Sequence, residues 1–461
     1  MMIEVRGPVA GRGAGLCRWC LLGFAWASML AVGLVLAMPA HGGSGAEYTV
    51  YPIPVESPNH TTPLPPADGR LTVVAPADPL ASPFGWHDTD GMAGAEHTTL
   101  EGNNVLVFSQ DSNPPLPVPD CGADLECNFP LDLTQLPETY TAASQTNAFY
   151  WYNLFHDVTY RHGFTSPAGN FQVNDYGEGG VGGDPLSVRF RYDASCAASV
   201  SIPPDGASGS LILSPCTVGG VTRDTAHDSV AMLHLAGHAL VHRLLGGPSN
   251  ASCYLNLQNP VEGWADYLGL LFTIEPGDAG TDPRPYATYF LGQPTDGPGA
   301  RGAPYSTDPA INDWTYETII TAGNSFAIGA VWAQGLWHAT WALIDLHGFD
   351  PDLEDPNGGA GNQRILSYMI TGLQLAPCNP SFLDARNALL AAAQLADPAD
   401  VCPLWEAFAT VGMGTDAISP SPQSTQVTNG FAVPATCREP FFTDGFETGD
   451  CSGWSAVFPG C

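Results

Sequence analysis

The sequence predicts an α+β fold, with a β-rich N-terminal part followed by a mainly helical C-terminal part. Three observations carry this. Residues 47–140 are dense in Pro, Gly, Asp, Ser and Thr and are broken by short apolar runs, Leu71-Thr-Val-Val-Ala75 and Val105-Leu-Val-Phe108, the pattern of strands set between turns. From about residue 224 onward, apolar residues recur at three- and four-residue steps over long stretches, which lines up one face of each segment against a core. The 461 residues are 44% hydrophobic and include 11 Trp, 15 Tyr and 20 Phe, enough apolar surface for a large interior and too much for a disordered chain.

In chain order, residues 1–40 come first. Arg6, Arg12 and Arg18 precede an apolar run from Trp19 to Met38, and Pro39-Ala-His-Gly-Gly43 follows. A basic start, an apolar middle and a small-residue exit describe a signal peptide and predict export. An uncleaved anchor is the competing reading, since the run approaches spanning length. No later run is comparable, so the exported chain is expected to stand free of the membrane. Residues 41–222 form the predicted β-rich part. It contains a helix over 141–163, where Asn147, Tyr150, Leu154, Asp157 and Val158 share a face, and strands over 186–192 and 210–213. The Gly177–Gly183 loop lacks the lysine and the strand–helix context of a phosphate loop and is expected on the surface. Residues 223–417 form the predicted helical part. A helix beginning near Asp224 stops at Gly246-Gly247-Pro248, and others follow over 260–272, 324–347, 362–374, 380–395 and 402–411. Residues 418–461 return to loops and short strands.

The charge excludes some partners. Fourteen basic residues, all Arg, face 46 acidic ones, for a net charge of −32. A chain so poor in cations is a poor match for the phosphates of nucleic acid or of an anionic membrane. Twelve Cys are present. Those beyond the leader are even in number, as suits an oxidising compartment. Proximity suggests the pairs Cys121/Cys127, Cys196/Cys216, Cys378/Cys402 and Cys451/Cys461, leaving Cys253 and Cys437. No C-x-x-C pair survives the leader, which argues against a cysteine-based zinc or redox site.

The chemistry concentrates in one helix and its successor. His234 and His238, in Asp228-Ser-Val-Ala-Met-Leu-His234-Leu-Ala-Gly-His238, are four residues apart and share a helical face. Two imidazoles so placed can reach one tetrahedral ion. Glu262, in Glu262-Gly-Trp-Ala-Asp266, is the candidate third ligand. Asp266, one turn on, is the candidate acceptor that fixes the tautomer of a ligand histidine. Two His and one Glu with an open position form a catalytic zinc pattern. His242 extends the row. It would lie about 12 Å along the axis from His234, too far to share an ion, and is expected in an outer or surface role. His156-Asp157 is expected to be a structural hydrogen bond. The acidic run Asp350–Asp355 has calcium-compatible chemistry, but its spacing is not that of an EF-hand, and a solvated loop is expected there.

From about residue 48 to 416 the chain resembles the mature domain of the fungalysin family of secreted zinc metalloendopeptidases. The stretches that carry the resemblance include Ala81-Ser-Pro-Phe-Gly-Trp-His87, Gly102-Asn-Asn104, Asn147-Ala-Phe-Tyr-Trp-Tyr-Asn-Leu-Phe-His-Asp157 and Pro203-Pro-Asp-Gly206. Arg243-Leu-Leu-Gly-Gly-Pro248, Glu262-Gly-Trp264, Ile328-Gly-Ala-Val-Trp-Ala333 and Trp405-Glu-Ala-Phe-Ala409 continue it. The resemblance implies a thermolysin-like fold with a zinc cleft between the β-rich and helical parts. It also implies one zinc ion on His234, His238 and Glu262, a peptide or protein as substrate or ligand, and a single chain as the working unit.

The departures from the family pattern carry equal weight. The family's His-Glu-x-x-His reads His234-Leu235-Ala236-Gly237-His238 here, so leucine stands at the position of the general base. The family's Val-His-x-Ile-Gly reads Ser325-Phe326-Ala-Ile-Gly329, and the amide-bearing edge strand before Pro-Pro-Asp-Gly reads Cys196-Ala-Ala-Ser-Val200. Mature-type sequence follows the leader directly, where the family carries a long pro-segment. The expectation is a protein that keeps the zinc ligands and has lost most or all peptide hydrolysis, acting as a peptide-binding or structural pseudo-peptidase. The alternative is an active endopeptidase with a substitute base such as His242.

Overall fold

The computed structural model describes residues 45–61, 68–109, 118–193, 196 and 198–438. The leader and the Cys451/Cys461 pair lie outside these residues. The strands are β1 (Glu47–Val50), β2 (Leu71–Val74), β3 (Val105–Ser109), β4 (Glu126–Cys127), β5 (Leu186–Phe190), β6 (Ser199–Ser201), β7 (Ser210–Leu213), β8 (Cys216–Val218) and β9 (Val221–Arg223). The helices are α1 (Thr141–Arg161), α2 (Ser229–Leu244), α3 (Val261–Phe272), α4 (Ser325–His347), α5 (Gly361–Leu375), α6 (Phe382–Ala396) and α7 (Val401–Thr410). The described strands thus end at Arg223 and six of the seven described helices lie after it, the α+β arrangement that the sequence predicts.

Three sheets form among the described residues, in the orders β2-β1-β4, β3-β5-β7-β6 and β8-β9. In the four-stranded sheet β3, β5 and β7 run parallel and β6 joins antiparallel at the edge. Val107, Val188 and Leu211 form one cross-strand row, and all three are fully buried. β-Branched and leucine side chains at alternate positions thus give this sheet one dry face. The β8–β9 hairpin turns on Gly219 and Gly220, whose φ angles of 61° and 81° favour glycine in a two-residue turn.

α1 is buried along almost its whole length and ties the β-rich part to the entry of α2. Asn147 accepts from the Tyr51 N–H at 2.9 Å and donates to the Ala226 carbonyl at 2.7 Å. Asp157 is fully buried. It accepts from His156 Nδ1, Ser82 Oγ, Trp86 Nε1 and the Asp78 N–H at 2.7–3.0 Å, so the His156–Asp157 bond is structural.

The predicted helix start near Asp224 shifts. Thr225–His227 form a 3-10 turn and α2 proper begins at Ser229. Asp224 caps the 3-10 turn by accepting the Ala226 N–H at 3.0 Å, and Asp228 supplies the cap of α2, its Oδ1 accepting the Ala231 N–H at 3.2 Å. α2 packs on α3 at Gly237, where a Cβ would meet the Ala265 Cα at 2.7 Å. Only a residue without a side chain permits that approach.

Cys121–Cys127 and Cys196–Cys216 are bonded as the spacing suggests, but Cys378 pairs with Cys253, and Cys402 pairs with Cys437. The expected Cys378/Cys402 bridge fails because α6, with 15 residues, lies between them. A helix of that length carries the chain about 22 Å, whereas a disulfide needs Cα atoms within about 7 Å. Residues 418–438 form isolated bridges such as Ile418↔Thr428 rather than strands. No described helix is long and apolar enough to cross a membrane.

Candidate metal centre

The α2–α3 contact at Gly237 brings the three predicted ligands together. His234 Nε2 lies 3.2 Å from His238 Nε2 and 3.4 Å from Glu262 Oε2, and His238 Nε2 lies 3.3 Å from Glu262 Oε2. Ligands at zinc distances of about 2.0–2.1 Å in a tetrahedron stand about 3.3–3.4 Å apart, so the donor triangle fits this ion. Glu262 Oε2 is buried and makes no hydrogen bond. A carboxylate oxygen held without a hydrogen-bond donor against two imidazole nitrogens is an arrangement that a cation completes.

Asp266 orients the first ligand. Its Oδ1 accepts His234 Nδ1–H at 2.8 Å, which leaves the Nε2 lone pair facing the other two donors. Asp266 is fully buried and is itself held by Arg301, through Nε and Nη2 at 2.6 Å, and by the Tyr305 hydroxyl at 2.8 Å. Burial pushes the Asp266 pKa up, but Arg301 and His234 outweigh it and keep the carboxylate well below its ordinary value. Burial likewise opposes ionisation of Glu262, and the two histidines reverse it. Burial lowers the His238 pKa, whereas the Asp266 and Glu262 carboxylates overcome burial at His234 and raise it. Arg301 and Tyr305 follow Asp266 by 35 and 39 residues in irregular chain, where no periodicity marks them, and the sequence reading missed both.

A cavity of about 500 Å³ opens onto the donor triangle. Leu235 lines it and is 4% exposed, one residue from His234 on the same helix. Phe326, near the start of α4, lines it too. Its ring centre is 6.4 Å from that of His234 and 5.2 Å from Arg301 Cζ. Ser199 and Val200 of edge strand β6 form another wall. His242 also lines the cavity rather than the surface, its ring flat against Tyr254 at 4.2 Å. Burial holds its pKa down to about 3.

In the Asp350–Asp355 run, Asp350, Asp352 and Asp355 each accept a backbone N–H at 2.9 Å. These are turn contacts, and no group of three metal donors forms there.

Comparison with known proteins agrees with this architecture. Residues 47–417 match the family described as fungalysin metallopeptidase (M36). The chain is 34% identical over 387 residues to the extracellular metalloproteinase MEP of Pyricularia oryzae, covering 81% of this chain and 59% of that protein. It is 33% identical over 391 residues to extracellular metalloproteinase 2 of Phaeosphaeria nodorum, again covering 81% and 59%. With the extracellular metalloproteinase mep of Aspergillus fumigatus it shares 32% identity over 387 residues, 81% of this chain and 58% of that protein. The chain thus spans somewhat under two thirds of the length of these curated relatives. The match over residues 47–417, together with the helix pair that carries two histidines and a glutamate, places the chain in the fungalysin metallopeptidase family.

Proposed function

We propose that this is an exported fungalysin-type protein whose His234, His238 and Glu262 hold one zinc ion, and whose cleft binds peptide or protein segments with hydrolysis lost or strongly reduced. Residues 1 to about 40 are then the signal peptide, 41–222 and 223–417 the two walls of the site, and 418–461 an appended tail. Zinc bound there would polarise a carbonyl and bring the pKa of bound water to about 7.

Leu235 carries this reading. It stands in the cavity beside His234, where the family resemblance places a glutamate, and an isobutyl group has no atom that takes a proton from water or delivers one to a leaving amine. Removal of one general acid–base typically costs about 10²–10⁴ in rate. Phe326 adds to the loss, because a phenyl ring cannot donate a hydrogen bond to a developing oxyanion. His242 is poorly suited as a substitute: its ring is flat against Tyr254 and 5.6 Å, centre to centre, from that of His238. A partner in the cleft is a peptide or protein rather than nucleic acid, and the working unit is a single chain.

Two measurements test this. Metal analysis of the purified protein gives close to one zinc per chain, and a value under about 0.2 refutes the zinc assignment. A quenched-peptide assay gives no chelator-sensitive turnover for the wild type and measurable turnover for Leu235→Glu. Chelator-sensitive wild-type turnover abolished by His238→Ala refutes the loss of hydrolysis.

A further inference from the structure

The charge balance and lining of the cavity narrow what it binds. Besides Glu262 and Arg301, no charged side chain lines the cavity among the described residues. Asp266 stands directly behind His234. With a divalent cation on the donor triangle, Glu262 and Asp266 cancel its charge, and Arg301 leaves the wall one positive charge in excess. Arg301 spends its Nε and Nη2 on Asp266. Its Nη1 donates to the Ala300 carbonyl at the long distance of 3.4 Å, and the Tyr305 hydroxyl is a further hydrogen-bond neighbour of the guanidinium. A guanidinium edge with spare N–H capacity therefore stands in the cavity wall, stacked over the Tyr286 ring at 4.6 Å.

Most of the rest of the wall is apolar, with Ser199, Ser214, Thr225 and Asn259 as neutral polar residues among it. Val200, Leu235, Tyr254, Val261, Phe290 and Phe326 all line it. In a polar-lined site a partner would recover its hydration through hydrogen bonds. Here Arg301 offers the one cationic partner to an anionic group, and most of the remaining ligand surface meets hydrocarbon and aromatic side chains.

Resting on the reading that the cleft binds rather than cleaves, we propose that its ligand is a monocarboxylate carried on an apolar body, with the carboxylate on the Arg301 side of the metal centre. A peptide ending in large apolar residues and a medium-chain fatty acid share this chemistry. A charge-assisted hydrogen bond in a water-poor site is stronger than a neutral one. A free acid is therefore expected to bind about 10–100-fold more tightly than its amide.

Titration calorimetry on the zinc-loaded full chain tests this with three probes: acetyl-Ala-Leu-Phe, its C-terminal amide, and decanoate. Tighter binding of the free acid than of the amide by tenfold or more supports the inference. Decanoate binding more tightly than the peptide acid also supports it and assigns the source to fatty acids. Equal affinity of acid and amide overturns it, while leaving the binding reading of the cleft intact. Cleavage of either peptide, read by mass spectrometry of the cell contents, overturns the binding reading instead. Phe326→Glu places a competing carboxylate beside Arg301 at a half-exposed position that the core does not depend on. It should abolish the preference of acid over amide, and retention of that preference locates the carboxylate elsewhere and overturns the inference. Circular dichroism of the variant establishes that it is folded.

Discussion

Asp266 Oδ1 accepts the Nδ1 proton of His234 at 2.8 Å, and this one bond decides which nitrogen of His234 faces His238 and Glu262. Asp266→Asn keeps the shape but weakens the orientation. Loss of such an outer partner typically lowers metal affinity 10–100-fold. A chelator competition titration should show zinc affinity reduced by about that factor, and an unchanged affinity would remove Asp266 from the centre.

Gly237 sets the spacing of the helices that carry the ligands, since a Cβ there would meet the Ala265 Cα at 2.7 Å. Gly237→Ala forces α2 away from α3. Overpacking of this kind costs about 1–3 kcal/mol, against the small gain alanine brings to an isolated helix. Urea denaturation should show a lower midpoint, and zinc affinity should fall with it because Glu262 rides on α3.

Asp228 predicts a pH dependence. Burial, with the nearby Glu56 carboxylate, pushes its pKa up to about 7 from the usual 3.8. The folded state therefore binds a proton more tightly than the unfolded state does. Its contribution to stability is fully present below about pH 4 and is lost as pH rises through 7. Asp228→Asn preserves a capping oxygen but cannot ionise. In chelated samples, the stability of wild type relative to this variant should decline between pH 5 and 8. A difference that stays flat across that range would contradict the assignment.

The Cys253–Cys378 bridge closes 125 residues of sequence. Its removal in a Cys253→Ser, Cys378→Ser variant should cost about 2–5 kcal/mol, seen as a lower unfolding midpoint. Removing Cys121–Cys127, with a separation of 6, should cost less, because a short loop has less closure entropy to lose.

The grouping of His234, His238 and Glu262 as candidate metal donors was legible because its signal is local. A four-residue histidine spacing is a statement about one helix, and Glu262 and Asp266 repeat it on the next. The long helices were legible for the same reason, through their periodicity. Arg301 and Tyr305 were not, because they reach Asp266 from irregular chain whose path depends on everything around it. Cys253 and Cys378 failed similarly: their meeting is decided by how α3, α4 and α5 fold back, which no spacing rule encodes. The start of α2 was misplaced by only a few residues, since Asp224 and Asp228 both offer caps, one to the 3-10 turn and the other to the helix.

Asn147 has a reach beyond its own helix. Its amide joins the backbone at Tyr51 to that at Ala226, two segments far apart in sequence, one leaving β1 and the other leading into the helix that carries His234 and His238. The link needs both halves of the amide: an aspartate keeps the first bond and strands the Ala226 carbonyl, and an alanine drops both. The chain after β1 and the entry of α2 should therefore open together as one cooperative unit, and the amide of Tyr51 should exchange with deuterium at the rate of the first turns of α2 rather than at that of a surface loop.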